Sequence, residues 1–193
     1  MSLAGMSPFA SRFRDVAARE TRVIMLAYSQ GGLPAGSYGF LELYCLDPAC
    51  ECKRVLLQVC EEREPEKVLA TINYGWESLA FYTKWLRGDQ ESAREIKEAS
   101  LDPINLQTSY APTLLRLFQT VILQDKAYIK RLKRHYVLFK SSPSPSAPTK
   151  PPSGGSQSRT VTRRPDRLAR ALPLGSFGRK RHTFSENAPS LRP

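Results

Sequence analysis

Three cysteines stand within eight residues of one another, as Cys45-x4-Cys50-x-Cys52 in the segment CLDPACEC. Zinc binds thiolate sulfur tetrahedrally, and three cysteines around one tight turn can reach a single ion without closing a long loop. Structural zinc sites usually combine paired C-x2-4-C clusters, and this sequence has one cluster. The turn is therefore a candidate zinc site. The alternatives are reduced structural cysteines, or thiols with a redox or catalytic use.

A fourth ligand would have to come from another part of the chain. If the strands that flank the turn pair as a hairpin, about six residues at ~3.3 Å each separate Cys60 from Cys45 by roughly 20 Å. Cys60 is then expected to be a small buried apolar residue. The better candidates are Asp47 in the turn and His135 on the apolar face of the last predicted helix. A lone histidine in such a position is more often a core residue than a ligand.

Catalysis would need a nucleophile, a base and a group that orients the base. The chain has two histidines, His135 and His182, so a thiol enzyme would have to pair Cys50 or Cys52 with His135. The acidic residues stand in runs that are typical of solvated surfaces, with no isolated carboxylate inside an apolar segment. The sequence therefore favours a protein that is not an enzyme, and no catalytic residue is assigned.

Positive charge is concentrated near the C-terminus. The net charge is +11, and residues 141–193, with 10 Lys+Arg against 2 Asp+Glu, contribute +8 of it. Basic side chains neutralise phosphates, so Lys130, Arg131 and Arg134 on the last predicted helix, together with this tail, indicate a nucleic-acid-associated protein as the alternative function. A solvated basic surface explains the helix about as well.

The elements that must position these residues follow from periodicity. Three segments, residues 38–45, 53–60 and 68–74, have the apolar and aromatic content of strands, and the acidic stretch 61–67 between the last two is expected to be a solvated turn. In the first strand Phe40, Glu42 and Tyr44 share one face. Three short strands in succession predict an antiparallel meander.

Helical spacing follows the third strand. It predicts four helices, over residues 77–86, over residues 89–99, from Pro112 onward and over residues 126–140. The helix over residues 89–99 is expected to be a solvated surface helix, and Asp125 is expected to cap the helix over residues 126–140. The fold class is therefore α+β, a three-stranded antiparallel meander followed by packed helices.

The chain divides into three parts. Residues 1–20 are expected to be flexible, 21–140 to form one α+β domain, and the Pro/Ser-rich tail 141–193 to be disordered. No apolar run is long enough to cross a bilayer and no secretory signal is evident, so a cytoplasmic location with reduced thiols is expected. Weak nucleic-acid binding through the tail is expected from its charge, and the protein partner is unknown.

Several motifs together resemble a group of bacterial proteins with no established activity, over roughly residues 19–139. They are GSYGFLELYC (36–45), Asp47-Pro48, Cys50-x-Cys52, Arg54-Val55, ATINYGWE (70–77), Phe81-Tyr82 and LKRHY (132–136). The resemblance implies that the cysteine turn, the Gly-Trp-Glu segment and the last helix belong to one domain. The function expected from the residues is non-enzymatic binding or interaction, with a structural zinc in the cysteine turn.

Overall fold

The computed structural model describes residues 5–142 and 182–183. Within them, seven strands form one sheet, in the order β6-β5-β4-β3-β2-β7, with β1 pairing β3 beyond the end of β2. The pairs from β2 to β6 and the pair of β1 with β3 are antiparallel, whereas β7 lies parallel to β2. The strands are β1 Met6–Pro8, β2 Arg22–Leu26, β3 Gly36–Cys45, β4 Arg54–Glu61, β5 Glu64–Gly75, β6 Ser100–Leu101 and β7 His182–Thr183.

Five α-helices accompany the sheet in the same residues. They are α1 Arg14–Glu20, α2 Leu79–Trp85, α3 Gln90–Glu98, α4 Ala111–Thr120 and α5 Lys126–Ser141, with short 3-10 helices at Phe9–Ser11 and Ile122–Gln124. The Asp125 side chain accepts hydrogen bonds from the backbone N–H groups of Ala127 and Tyr128, so it caps α5 as predicted. None of these helices is long and apolar enough to cross a membrane.

The predicted α+β fold is confirmed, with β3, β4 and β5 as the antiparallel meander and the four predicted helices as α2 to α5. The solvated turn expected over residues 61–67 is shorter than predicted, because β5 already begins at Glu64 and Glu61 pairs with it. Most side chains at this end of β5 are exposed, so charged residues can continue the backbone pairing without entering the core.

Residues 5–20 are part of the fold, although residues 1–20 were expected to be flexible. Phe9 is 2% exposed, its ring stacks on Phe13, and β1 pairs with the last residues of β3. Arg12 reaches the C-terminal end of α5, where its guanidinium donates to the backbone oxygens of Phe139 and Ser142. These contacts are long-range, so local composition gives little sign of them.

One main core lies between the sheet and the helices α4 and α5. A smaller cluster joins Tyr82 of α2 to Ala93 and Ile96 of α3, so α3 is anchored on one face rather than being a fully solvated helix. Apart from Ser141 and Ser142 at the end of α5 and the two residues of β7, the predicted disordered tail 141–193 lies outside the described residues.

Candidate metal centre

The three cysteines of the turn converge at one end of the β3–β4 hairpin. Cys45 is the last residue of β3, and Cys50 and Cys52 lie in the connection that leads to β4. Their three sulfurs all lie within 4.8 Å of one another. Cys52 is 1% exposed, and the other two are partly buried. The triad is therefore close enough to bind one metal ion.

Local turn chemistry explains how the chain brings the sulfurs together. The Asp47 carboxylate accepts a hydrogen bond from the Ala49 N–H at 2.9 Å, and the Asp47 carbonyl accepts one from the Cys50 N–H at 3.2 Å. An Asp-Pro sequence favours such a turn. Lys53 then has a φ of 45°, the left-handed region, and so reverses the chain again before β4 begins.

Two backbone N–H groups point at the sulfurs. The N–H of Asp47 hydrogen-bonds Cys45, and the N–H of Arg54 hydrogen-bonds Cys52. In both cases the donor lies two residues after the cysteine. Hydrogen bonds of this kind stabilise the thiolate, which is the form that binds metal. The turn is thus built to support negative charge on sulfur.

Burial opposes that charge in the metal-free protein. Burial is the main reason that the pKa of Cys52 rises from 9.0 to about 12. The thiols of Cys50 and Cys45 add to this rise, and the Arg54 guanidinium opposes it. Burial also raises the pKa of Cys45, against the Asp47 N–H and the Lys140 ammonium. The thiols of Cys45 and Cys52 are consequently protonated at neutral pH in the metal-free protein, and a metal must displace these two protons.

Helix α5 holds the cysteine turn from one side. The Tyr136 hydroxyl donates to the Cys50 carbonyl at 3.4 Å and the Lys140 ammonium donates to the Asp47 carbonyl. Burial raises the pKa of Tyr136 to about 12, and the Cys52 thiol adds to this rise, whereas the Lys53 N–H opposes it. Tyr136 therefore remains a neutral hydroxyl that ties the turn to the helix. In the sequence Tyr136 stood out only as part of the LKRHY motif, without an assigned role.

Helix α2 holds the turn from another side. The Tyr82 hydroxyl donates to the Lys53 carbonyl at 2.7 Å and accepts from the Glu77 N–H at 3.3 Å. Tyr82 itself packs over Gly75, where a side chain would collide with its ring. Lys53, directly after Cys52, is thus fixed by a residue that is distant in sequence.

His135 does not join the cysteines, although it was a candidate fourth ligand. Its Nδ1 lies 2.7 Å from the Glu42 carboxylate, and its Nε2 lies 3.2 Å from the Glu20 carboxylate. The ring is 1% exposed and stacks on Phe9 with 4.2 Å between centroids. The Glu42 carboxylate also accepts a hydrogen bond from the Tyr44 hydroxyl at 2.8 Å.

Glu42 corrects the expectation that the acidic residues all stand in solvated runs. It is 7% exposed and lies on the core face of β3, between Phe40 and Tyr44. The signal was available in the sequence, because Glu42 shares one strand face with two aromatic residues. Glu20, at the end of α1, had no such signal, since its partner on α5 is 115 residues away.

The remaining cysteine and the turn carboxylate stay outside the triad. Cys60 is 1% exposed on β4 opposite Gly39, at the far end of the hairpin from Cys45, as the strand argument predicted. Burial raises the pKa of its thiol to about 11. Among the His, Cys, Asp and Glu residues of the described ranges, none adds a fourth ligand atom within 4.8 Å, Asp47 included.

The three basic residues singled out on α5 differ in their surroundings. Lys130 is exposed. The Arg131 guanidinium lies over the Tyr128 ring, 5.0 Å from its centroid, and Arg134 forms an ion pair with Glu20. They therefore do not present three equivalent charges to a nucleic acid.

Fold and site together define a mixed α/β domain that carries a cysteine triad close enough to bind a metal. Comparisons of the chain with models of known protein families, with curated proteins and with solved structures find no match.

Proposed function

We propose that this chain is a non-enzymatic binding domain in which Cys45, Cys50 and Cys52 hold one structural zinc ion. The observation that carries the proposal is the mutual distance of the three sulfurs, all within 4.8 Å. Zinc–sulfur bonds of about 2.3 Å in a tetrahedron place the sulfurs roughly 3.8 Å apart. The turn would need to contract by no more than about 1 Å to bind the ion.

The surroundings of the sulfurs support a metal site. Backbone N–H groups of Asp47 and Arg54 face Cys45 and Cys52, and the cationic Arg54 and Lys140 side chains act on the same two thiols in the sense that favours thiolate. Three thiolates and one Zn²⁺ carry a net charge of −1, which these cations would partly neutralise.

The same surroundings are unfavourable for a thiol enzyme. A reactive cysteine needs a lowered pKa and a nearby base, whereas burial raises the pKa of Cys52 to about 12. The described histidine side chain, His135, is occupied by two carboxylates and does not reach the triad. A structural ion that joins the end of β3 to the start of β4, beside α5, is the role that this geometry favours.

Metal analysis of the purified full-length protein tests the proposal. We expect about one zinc per chain, and its loss in the double variant Cys50→Ser, Cys52→Ser. The matched control is Cys60→Ala, which removes a buried thiol at the other end of the hairpin and should retain the metal. A folded, reduced protein that takes up no zinc would exclude the proposal.

A further inference from the structure

A cavity of about 360 Å³ lies between the cysteine turn and the C-terminal end of α5. Cys45, Leu46 and Pro48 of the turn line it, together with Phe139 and Lys140 of α5. Cavities that bind small molecules begin at roughly 300 Å³, and one water takes up about 30 Å³ of liquid volume. The space beside Cys45 is thus large enough for a ligand of a few non-hydrogen atoms.

The charge of this cavity is positive. Arg12 and Lys140 line it, and none of its lining residues is acidic. The Arg12 guanidinium lies over the Phe139 ring, 4.1 Å from the centroid, so its position is fixed by packing. The Lys140 ammonium has three N–H donors, one of which is used for the Asp47 carbonyl. A ligand in the cavity would therefore meet two cationic side chains, Arg12 and Lys140.

Three protein ligands leave one position of a tetrahedral metal site open. In the described residues no further His, Cys, Asp or Glu reaches the triad. Cys45 is the triad member that lines the cavity. The cavity is therefore the space beside the triad from which a further ligand could reach a metal bound there.

We propose that the metal of the cysteine triad takes its fourth ligand from this cavity, and that the ligand is a small thiol bound as its thiolate. The inference rests on the proposed function. Metals selected by three thiolates favour a further soft sulfur donor, and Lys140 and Arg12 favour an anion. On binding, a metal–sulfur bond replaces a metal–water bond, and the thiol proton passes to the solvent.

Cobalt substitution makes the coordination visible. The full-length protein is loaded with Co²⁺ and titrated separately with 3-mercaptopropionate and with 2-aminoethanethiol, which offer the same donor atom with opposite second charges. We expect both thiols to shift the visible absorption bands of the bound cobalt. The measured quantity is the ratio of their two dissociation constants, in the protein and in the variants Lys140→Met and Lys84→Met.

The ratio isolates the charge of the cavity from the intrinsic affinity of each thiol. Replacing Lys140 should weaken the binding of 3-mercaptopropionate about fivefold relative to that of 2-aminoethanethiol, because one partly screened ion pair is lost. Lys84 is an exposed lysine on α2, outside this cavity, and its replacement should leave the ratio unchanged.

The possible failures are distinguishable. A protein that binds no cobalt removes the proposed function, and this inference with it. Cobalt that remains bound with bands insensitive to both thiols overturns the open position alone. Thiol binding with a ratio that Lys140→Met does not change overturns the cavity as the place of entry. Cobalt that either thiol strips from the protein, measured after desalting, also counts against the fourth-ligand position.

Discussion

The carboxylate of Glu42 on β3 lies 2.7 Å from the Nδ1 atom of His135 on α5, in the core and 93 residues apart in sequence. Glu20 approaches the other ring nitrogen at 3.2 Å, so the histidine lies between two carboxylates. Three distant segments, α1, β3 and α5, are joined through this one side chain.

Removing His135 should therefore cost more stability than an ordinary core truncation of its size. In the variant His135→Ala the Glu42 carboxylate stays buried with the Tyr44 hydroxyl as its remaining hydrogen-bond donor, and breaking a buried pair in this way costs up to about 3–5 kcal/mol. Urea unfolding of the full-length protein measures the loss. The exposed Lys133 on the same helix supplies the control, because Lys133→Ala should change stability by less than about 0.5 kcal/mol.

A second variant separates the buried charge from lost packing. Replacing both members, Glu42→Met with His135→Leu, removes the uncompensated carboxylate and should recover a substantial part of the stability that His135→Ala loses. A double variant no more stable than His135→Ala would show that packing on Phe9, rather than the carboxylate, dominates the effect.

Removal of the metal should lower the melting temperature. An ion that binds the folded state at a concentration 100 times its dissociation constant adds about 2.7 kcal/mol, which corresponds to a shift of roughly 5–10 °C for a domain of this size. Thermal unfolding with and without a chelator gives the shift. The variant Cys50→Ser, Cys52→Ser should not respond to the chelator, and an equal response in both proteins would show that the triad is not the site of the metal.

The metal-free protein should also lose stability at alkaline pH through Cys52. Burial, followed by the neighbouring thiols, raises the pKa of Cys52 in the folded state from 9.0 to about 12. Above pH 9.0 the unfolded chain loses this proton while the folded chain keeps it. The stabilising contribution is thus complete below pH 9.0 and is lost as the pH rises towards about 12.

The variant Cys52→Ala isolates this contribution. In the presence of a chelator, the free energy of unfolding of this variant should fall less steeply between pH 9.0 and about 12 than that of the unchanged protein. The two slopes should differ by up to about 1.4 kcal/mol per pH unit. Buried tyrosines titrate in both proteins, so the difference between the two slopes is the quantity to measure. Parallel slopes would mean that the Cys52 thiol ionises equally readily in the folded and unfolded chains.

The parts of the fold that could be predicted are those whose signals are local. Apolar and aromatic content indicated β3 and β4, and helical spacing with Asp125 as the cap indicated α5. The short β1 and the segment around Phe9 were missed because their order depends on contacts with β3 and His135, far away in sequence.

The site divides in the same way. Close spacing alone suggested that Cys45, Cys50 and Cys52 could meet, since a turn of eight residues limits their separation. His135 was a ligand candidate because it lies on the apolar face of α5, but of the two neighbours His135 and Tyr136 it is Tyr136 that contacts the cysteine turn. One residue along a helix turns a side chain by about 100°, and the sequence does not reveal which neighbour faces the turn.

Gly75 offers a last test of how the metal site depends on distant packing. A Cβ at this position would collide with the ring of Tyr82 and would lie 2.6 Å from the Cγ2 atom of Ile96. Gly75→Ala should therefore displace Tyr82, whose hydroxyl holds the Lys53 carbonyl directly after Cys52. Overpacking of this kind costs about 1–3 kcal/mol.

The expected result has two parts, a lower free energy of unfolding and a weaker affinity for zinc. The matched control is Gly36→Ala, at the start of β3, because the closest contact of its Cβ would be the flexible end of Glu61, at 3.0 Å, and the Tyr38 ring would lie at an ordinary contact distance of 3.7 Å. Both glycines lie in strands. Each replacement by alanine restricts the unfolded chain to the same extent. Urea unfolding and a competition titration with a zinc indicator measure the two quantities. If Gly75→Ala lowers stability but leaves zinc affinity equal to that of Gly36→Ala, then the Tyr82 contact does not hold the cysteine turn in its metal-binding form.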